Sequence, residues 1–173
     1  DPVDKKWKQR GDDIDGEAAD DQSGTSVSLS ADGTALAVGA PYNHGGSSRA
    51  GRTRVFAWDS DKNEWKQRGD DIDGEAADDF SGESVSLSAD GMTLAVGARR
   101  NDGAGDDAGH ARVFAWDSDK NEWKQRGDDI DGEAAGDRSG MSVSLSADGT
   151  ALAVVAPGND RSGDRAGHAR VYR

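Results

Sequence analysis

Apolar and polar residues alternate over short stretches of this chain. In residues 26–30 the sequence SVSLS places an apolar residue at every second position, which is the period of a strand with one buried face. The Asp-Gly pair that follows is typical of tight hairpins, and the apolar run ALAVGA (residues 35–40) suits a closely packed inner strand. TRVFAW (residues 53–58) and WKQRGDDI (residues 65–72) come next, separated by a polar turn. The pattern therefore predicts four consecutive antiparallel strands.

This four-strand pattern occurs three times. The segment WKQRGDDIDGEAA begins at Trp7, Trp65 and Trp123, so the unit has a period of 58 residues without insertion or deletion. A fixed period is typical of arrays in which each unit buries its apolar face against its neighbours. Four antiparallel strands joined by short connections fit a blade of an all-β propeller, which is the fold we predict. A β-trefoil and a three-sheet prism also repeat three times and stay open as alternatives.

The repeat also predicts the organisation of the chain. Propeller rings hold about four to eight blades, so three blades are too few to surround an axis. We expect oligomerisation to close the ring as a six-bladed homodimer, in which the amino-terminal strand of each subunit completes blade 3 of the other. A trimer and a fragment of a longer array are the alternatives. The predicted single repeat domain, 1–173, comprises a closing outer strand (1–14), blade 1 (15–72), blade 2 (73–130) and blade 3 (131–173) without its own outer strand.

One motif in the second unit resembles a known family. The run DDFSGESVSLSADGMTLAVGA (residues 78–98), with GHARVFAW after it and a Trp-led last strand, resembles the FG-GAP repeats of integrin-α-like β-propellers. The resemblance implies a propeller fold and an extracellular or cell-surface location. The chain departs from the family where Gln22 and Arg138 replace the aromatic Phe80. Its Ala-Asp-Gly hairpins are also too short for the calcium loop that the family often carries between the first two strands.

Composition narrows the classes of partner. The formal net charge of −13 and the pI near 4.5 oppose nucleic-acid binding and polybasic membrane attachment. Neither cysteine nor an apolar run long enough for membrane insertion occurs. The expected partners are therefore a second copy of the chain, another protein or a glycan.

The three units differ mainly at one predicted face. Differences gather before and at the first strand and in the loop between the second and third strands, and strand parity places both regions at the same end of the sheet. We interpret this face as a ligand or partner surface, although loops that merely tolerate drift would give the same pattern. The predicted binding residues are Gln22, Thr25, Tyr42, Asn43, His44, Phe80, Glu83, Arg99, Arg100, Asn101, Asp102, Arg138, Met141, Asn159 and Asp160.

Acidic clusters in the connections predict calcium sites, with solvated turns as the alternative interpretation. Oxygen ligands are concentrated in two places, and the candidates are Asp71, Asp73, Glu75, Asp102 and Asp106. His110 and His168 lack the close His spacing of common zinc sites, so we expect them to pack or to form a hydrogen bond at a strand start. No other cofactor is indicated.

Catalysis is not expected from the sequence, because equivalent residues in repeated units do not provide the unlike groups that an active site needs. The predicted function is a non-enzymatic binding or self-assembling scaffold. A calcium-dependent adhesion or carbohydrate-binding module is the alternative, since the tryptophans could stack on sugars. The Arg68-Gly69-Asp70 tripeptide and its copies lie in a predicted strand, which disfavours recognition by integrins.

Overall fold

The computed structural model describes residues 6–173, and every regular element in that part of the chain is a β-strand. Sheet 1 contains β1 (Ser26–Leu29), β2 (Ala35–Ala40), β3 (Arg52–Asp59), β4 (Glu64–Gln67) and β5 (Ile72–Asp73). Sheet 2 contains β6 (Ser84–Leu87), β7 (Thr93–Ala98), β8 (His110–Asp117), β9 (Glu122–Gln125) and β10 (Ile130–Asp131). Sheet 3 contains β11 (Ser142–Leu145), β12 (Leu152–Ala156) and β13 (His168–Tyr172). Across residues 6–173 no helix has the length and apolarity needed to cross a membrane.

Each sheet is an antiparallel meander in chain order. In sheet 1, β1 pairs with β2, β2 with β3, and both β4 and β5 lie on the outer edge of β3. Sheet 2 repeats this arrangement, and sheet 3 ends at β13 within the described residues. The prediction of an all-β chain with strands paired in sequence order is therefore confirmed.

The hairpin between the first two strands closes through its aspartate. In sheet 3, Asp148 accepts hydrogen bonds from the hydroxyl of Ser146 (2.6 Å) and from the backbone N–H of Thr150 (3.1 Å). These bonds, led by the one from Ser146, lower the pKa of Asp148 from 3.8 to about 2. The same geometry recurs at Asp32 and Asp90, which explains why the Asp-Gly hairpin is nearly unchanged between units.

The predicted fourth strand is broken into two pieces. Gly69 adopts a φ of +77° between β4 and β5, and a side chain there would lie 2.8 Å from the ring of Trp116 in sheet 2. Only glycine combines this backbone conformation with such a close approach. The single strand predicted for residues 65–72 is therefore wrong, since the chain turns at Gly69 to let the neighbouring tryptophan pack.

The predicted closing strand lies partly outside the described residues, which begin at Lys6. Residues 6–14 form no strand here, and the strand ladders of sheets 1, 2 and 3 do not include this segment. It nevertheless makes contacts like those of the equivalent segment in sheet 1. Arg10 lies 4.3 Å from the Trp58 ring and its carbonyl accepts a bond from Trp65 Nε1 (2.9 Å). Arg68 does the same with Trp116 (4.5 Å) and Trp123 (2.9 Å).

The hydrophobic core lies between sheets rather than within one sheet. The first cluster joins Val55 and Ile72 of sheet 1 to Val85, Leu87 and Phe114 of sheet 2. The second joins the equivalent face of sheet 2 to Val143, Leu152 and Val154 of sheet 3. Each sheet thus buries one apolar face against the next sheet, as the low hydrophobic content of 33% requires.

Adjacent sheets approach each other closely where glycine stands in the second strand of sheets 1 and 2. A Cβ on Gly39 would overlap the carbonyl oxygen of Gly82, and a Cβ on Gly97 would overlap that of Gly140. The same carbonyls accept hydrogen bonds from Ser26 (2.7 Å) and Ser84 (2.8 Å). The spacing between adjacent sheets is therefore fixed at these two positions.

Candidate functional site

The connections that vary between units lie together at one end of the sheets. The loop after β2 meets the connection that follows β5, as the bridge between Gly51 and Ser81 and the bond from Asp78 N to Ser48 O (2.8 Å) show. Gly109 and Ser139 form the same bridge one unit later. The geometry therefore brings the sequence-predicted binding residues onto a common loop face.

These residues differ in their accessibility on the loop face. Tyr42, Glu83, Arg99 and Arg100 are half-buried. The exposed members are Gln22, Thr25, His44, Asp102, Arg138, Met141 and Asp160. The buried ones are Asn43, Phe80, Asn101 and Asn159.

The three buried asparagines hold the loops in place. Asn101 Nδ2 donates to the buried carboxylate of Asp79 (3.0 Å), which also accepts the backbone N–H of Ala76 (2.9 Å). Asn43 and Asn159 make the same bond to Asp21 and Asp137. This corrects their predicted role: the side chains lie beneath the loop face and satisfy buried carboxylates, as buried polar groups require.

Phe80 forms an aromatic and arginine cluster with other predicted residues. Its ring contacts Tyr42 edge-on at 5.0 Å between centroids, and the guanidinium groups of Arg99 and Arg100 lie 5.4 and 5.1 Å from its centre. Arg99 also pairs with Glu83. The cluster joins the loops of sheets 1 and 2. Phe80 itself is 4% exposed, so it supports this surface from below.

The calcium candidates fall into three separate groups. Asp71 and Asp73 both pair with Arg52 at 2.7 Å, so a guanidinium neutralises them. Asp102 and Asp106 lie with Asp107 in an exposed loop, where Asp102 Oδ1 accepts the N–H of Asp107 (2.8 Å). The predicted grouping of Asp71, Asp73 and Glu75 is therefore wrong, because Arg52 occupies the space between the two aspartates and Glu75 points to sheet 2.

Glu75 belongs to a group of three ligand-bearing side chains that the sequence analysis did not identify. His110, at the start of β8, is 1% exposed, and its Nδ1 lies 3.8 Å from Glu75 Oε2 and 3.9 Å from Asp129 Oδ2. These distances exceed hydrogen-bond length. Among the described residues no group bonds to His110 Nδ1. Burial, and next the charge of Arg112, lower the pKa of His110, which favours the neutral form of its imidazole.

The same three positions recur in the other units. In sheet 1 they are Glu17, Arg52 and Asp71, and Arg52 Nη1 lies 2.7 Å from both carboxylates. In the third unit Glu133 lies 3.7 Å from His168 Nδ1, and the aspartate position falls after the last residue of sheet 3. A signal for this group existed in the sequence: aligning the units places Arg52 opposite His110 while their acidic neighbours stay unchanged.

Two apolar surfaces remain exposed at the ends of the sheet stack. Val27 and Leu29 on sheet 1 are 61% and 56% exposed, whereas the equivalent Val85 and Leu87 on sheet 2 are buried against sheet 1. On sheet 3 Val171 is 74% exposed, whereas its equivalent Val55 is buried. The ends therefore present the two complementary halves of an interface that occurs twice within the chain.

The tryptophans of sheets 1 and 2 pack rather than project. Trp58 and Trp65 meet at 5.3 Å between ring centroids, and Trp116 and Trp123 at 5.4 Å, each pair covered by an arginine. Trp7 in contrast is fully exposed. The four packed rings are half-buried.

Two solved structures are compared with this fold, and one of them reaches a TM-score of 0.50. The periplasmic gluconolactonase PpgL of Pseudomonas aeruginosa matches 87% of this chain and 39% of its own, with 20% identity and a TM-score of 0.50. Hydrazine synthase of Kuenenia stuttgartiensis matches 88% of this chain and 33% of its own, with 14% identity and a TM-score of 0.47. The chain thus spans less than two fifths of either structure. At this identity the likeness to the gluconolactonase shows the fold alone.

This likeness corrects the expectation that the chain is not an enzyme. A gluconolactonase shares the fold, so a set of repeated sheets does not exclude catalysis. One fold carries many functions, and the activity of the gluconolactonase is a property of its own site. The expectation was wrong because only the strands repeat closely, whereas the loops differ between units and can carry unlike groups.

Comparison with known families supports the sequence motif. A comparison with curated proteins gave no match. Residues 71–114, which run from the end of sheet 1 into β8, match the FG-GAP repeat. The resemblance predicted from the sequence is therefore confirmed for the second unit: residues 71–114 match the FG-GAP repeat family, on a propeller-like all-β fold.

Proposed function

We infer that this chain is a propeller scaffold that assembles with a second copy of itself and presents its loop face for recognition. The observation that carries the proposal is the pair of exposed ends, Val27 and Leu29 on sheet 1 and Val171 on sheet 3. Burying a valine or leucine side chain contributes roughly 1.5–3 kcal/mol. A second copy supplies the matching half at each end, so two chains give six sheets, within the usual range for a ring.

The outer edge of β13 supports the same arrangement. In sheet 1 the β3 residues Phe56 and Trp58 pair with Gln67 and Trp65 of β4. By the repeat, the residue opposite Tyr172 is Gln9 of a second copy, and Trp7 takes the place of Trp65. Residues 6–14 already pack on sheet 1 of their own chain. Pairing of this segment with β13 of the other chain would cover the edge strand of sheet 3.

Trp7 and Arg126 are the matching halves of one missing contact. Inside the chain, Trp65 and Trp123 donate their indole N–H to the carbonyls of Arg10 and Arg68. Trp7 lies one repeat before Trp65, and Arg126 lies one repeat after Arg68. Both side chains are exposed. In the proposed dimer, Trp7 of one chain donates to the Arg126 carbonyl of the other.

Val155 makes the junction between copies differ from the junctions within the chain. It occupies the position of Gly39 and Gly97, where a side chain would overlap the carbonyl of the next connection. In a second copy that connection contains Gly24. The two chains therefore lie further apart at the inner strands than adjacent sheets of one chain, and the outer strand provides more of the contact.

The test is the molar mass in solution, measured by light scattering and sedimentation equilibrium over a wide concentration range. We expect about twice the chain mass of 18.1 kDa for the unaltered protein. Leu29→Asp and Val171→Asp should each weaken the dimer, because each places a charge in an apolar junction. A mixture of the two variants should recover part of the dimer, because one of its two junctions is then unaltered.

Met141→Asp is the matched control. Met141 is 44% exposed but lies on the loop face, so the same substitution there should leave the dimer unchanged. A protein that stays monomeric at every concentration contradicts the proposal. Equal effects of the three substitutions would also contradict it, since they would reflect a general loss of stability.

Recognition by the loop face is a second candidate function. The observation that favours it is that the side chains that differ between units, such as His44, Asp102 and Asp160 at one position, are exposed on a single surface. Exchanging the loops after β2 and β7 should change binding to a partner protein or glycan if the face recognises it. A glycan array with and without calcium distinguishes a sugar ligand from a calcium-dependent one.

A further inference from the structure

The side chains of Glu75, His110 and Asp129 together provide the kinds of ligand atom that a metal site needs. We propose that Glu75, His110 and Asp129 bind a divalent transition-metal cation, represented by zinc. The three ligand atoms lie within 4.8 Å of one another. They come from different elements: the connection after sheet 1, the start of β8 and the turn before β10.

His110 is the residue that marks this group as a site rather than a surface patch of acids. Its side chain is 1% exposed and its Nδ1 is directed between the two carboxylates, without a hydrogen-bond partner among the described residues. A buried nitrogen with no partner is unfavourable. A cation between the three groups satisfies the imidazole and neutralises the carboxylates at the same time.

Sheet 1 shows that this arrangement of carboxylates holds a positive charge. Arg52 stands at the position of His110, and its Nη1 lies 2.7 Å from both Glu17 and Asp71. In sheet 2 the carboxylates are retained but the shorter imidazole replaces the guanidinium, and its Nδ1 lies 3.8 and 3.9 Å from them instead of 2.7 Å. Arg112 faces the other oxygen of Glu75 at 3.6 Å and leaves Oε2 directed at His110.

The donor set favours a transition metal over calcium. Calcium needs about six to eight oxygen ligands, whereas zinc is bound by three protein ligands of nitrogen and oxygen type plus a solvent molecule. Zinc bonds of about 2.0–2.2 Å place ligand atoms slightly closer together than the 3.8 and 3.9 Å seen here. Glu75 and Asp129 retain 43% and 31% side-chain exposure, so both carboxylates are free to close on the ion from solvent.

The first experiment is a zinc titration of the full chain by calorimetry, with cobalt absorption spectra as a second readout of the ligand set. We expect Glu75→Gln and Asp129→Asn each to weaken zinc binding about 10-fold or more. Two variants serve as controls: His44→Ala removes an exposed imidazole, and Asp106→Asn alters the exposed acidic loop. Both controls should leave the affinity of this site unchanged.

The second experiment exchanges the two residues that occupy this position, arginine in sheet 1 and histidine in sheet 2. His110→Arg should fold normally, because sheet 1 accommodates arginine at the same place, and should abolish zinc binding in sheet 2. Arg52→His should create an additional zinc site with Glu17 and Asp71. Absence of zinc binding by the unaltered protein, or retention of this site in a folded His110→Arg variant, overturns the proposal.

An equivalent site in the third unit rests on the proposed dimer. There Glu133 and His168 are in place, and the third ligand is Asp13 of the second copy, which is the repeat equivalent of Asp129. Asp13→Asn should then remove only the site in sheet 3, and dissociation by Leu29→Asp should do the same. The site in sheet 2 is complete within one chain, so its zinc binding tests the metal proposal even if the protein is a monomer.

Discussion

At the residue scale, single positions decide how closely neighbouring sheets approach. Gly39 and Gly97 lie beneath carbonyls of the next connection, and Gly69 lets a tryptophan pack against the turn. At the site, the substitution of Arg52 by His110 changes an ion-pair network into a group with an unsatisfied nitrogen. Amino-acid composition does not predict these differences, because they depend on the contacts that a residue of one sheet makes with the adjacent sheet.

Replacing Gly97 by valine should therefore destabilise the fold. Its Cβ would overlap the Gly140 carbonyl, and we expect a loss of about 2–3 kcal/mol in the free energy of unfolding from overpacking, measured by urea denaturation. Gly46→Val is the control, because the space around Gly46 is open. Equal stability of the two variants would mean that sheets 2 and 3 are not in close contact at this position.

At the element scale, the outer strand of sheet 1 is tied to sheet 2 by an arginine that covers a pair of tryptophans. Arg68, in the turn after β4, lies 4.5 Å from the Trp116 ring, and its carbonyl accepts a bond from Trp123. This explains why the predicted fourth strand is interrupted. The alternating pattern identified residues 65–72 as a strand. The turn within it depends on the tryptophan rings of sheet 2, which pack against it.

Arg68→Ala should weaken the contact between sheets 1 and 2. A cation–π contact is worth about 0.5–2 kcal/mol, and we expect a decrease of that size in the free energy of unfolding. The control is Arg126→Ala, at the equivalent turn of sheet 2, where the guanidinium is exposed. Urea denaturation at low protein concentration compares the two variants. A loss as large for Arg126→Ala would contradict a specific role for the stacked arginine.

At the scale of the whole molecule, the chain is an open stack whose ends are unlike and complementary. The first end exposes Val27 and Leu29, and the last exposes Val171 and the outer edge of β13. A second copy covers both ends in the proposed ring. The two internal junctions show what such contacts look like, and Val155 marks where the junction between copies departs from them.

Val155→Gly should strengthen the proposed dimer. Glycine at this position restores the close approach that Gly39 and Gly97 allow, so the inner strands of two chains approach as adjacent sheets do. Sedimentation equilibrium should show a lower dissociation constant than for the unaltered protein. Val154→Ala, at the neighbouring buried position, controls for a general change in the core. No change, or weaker association, would mean that the inner strands do not face each other across the junction.

The sequence by itself determined the first three strands of each sheet, their order and the repeat, because alternation and a fixed period depend on local chemistry that each unit carries alone. It also indicated the loop face, since strand parity alone places those connections at one end. Tertiary structure decided what lies across the boundaries between sheets. It placed Asn101 beneath the loops, separated Asp71 from Glu75, and brought Glu75, His110 and Asp129 together. These contacts join residues tens of positions apart, and only the stacking of one sheet on the next sets their distances.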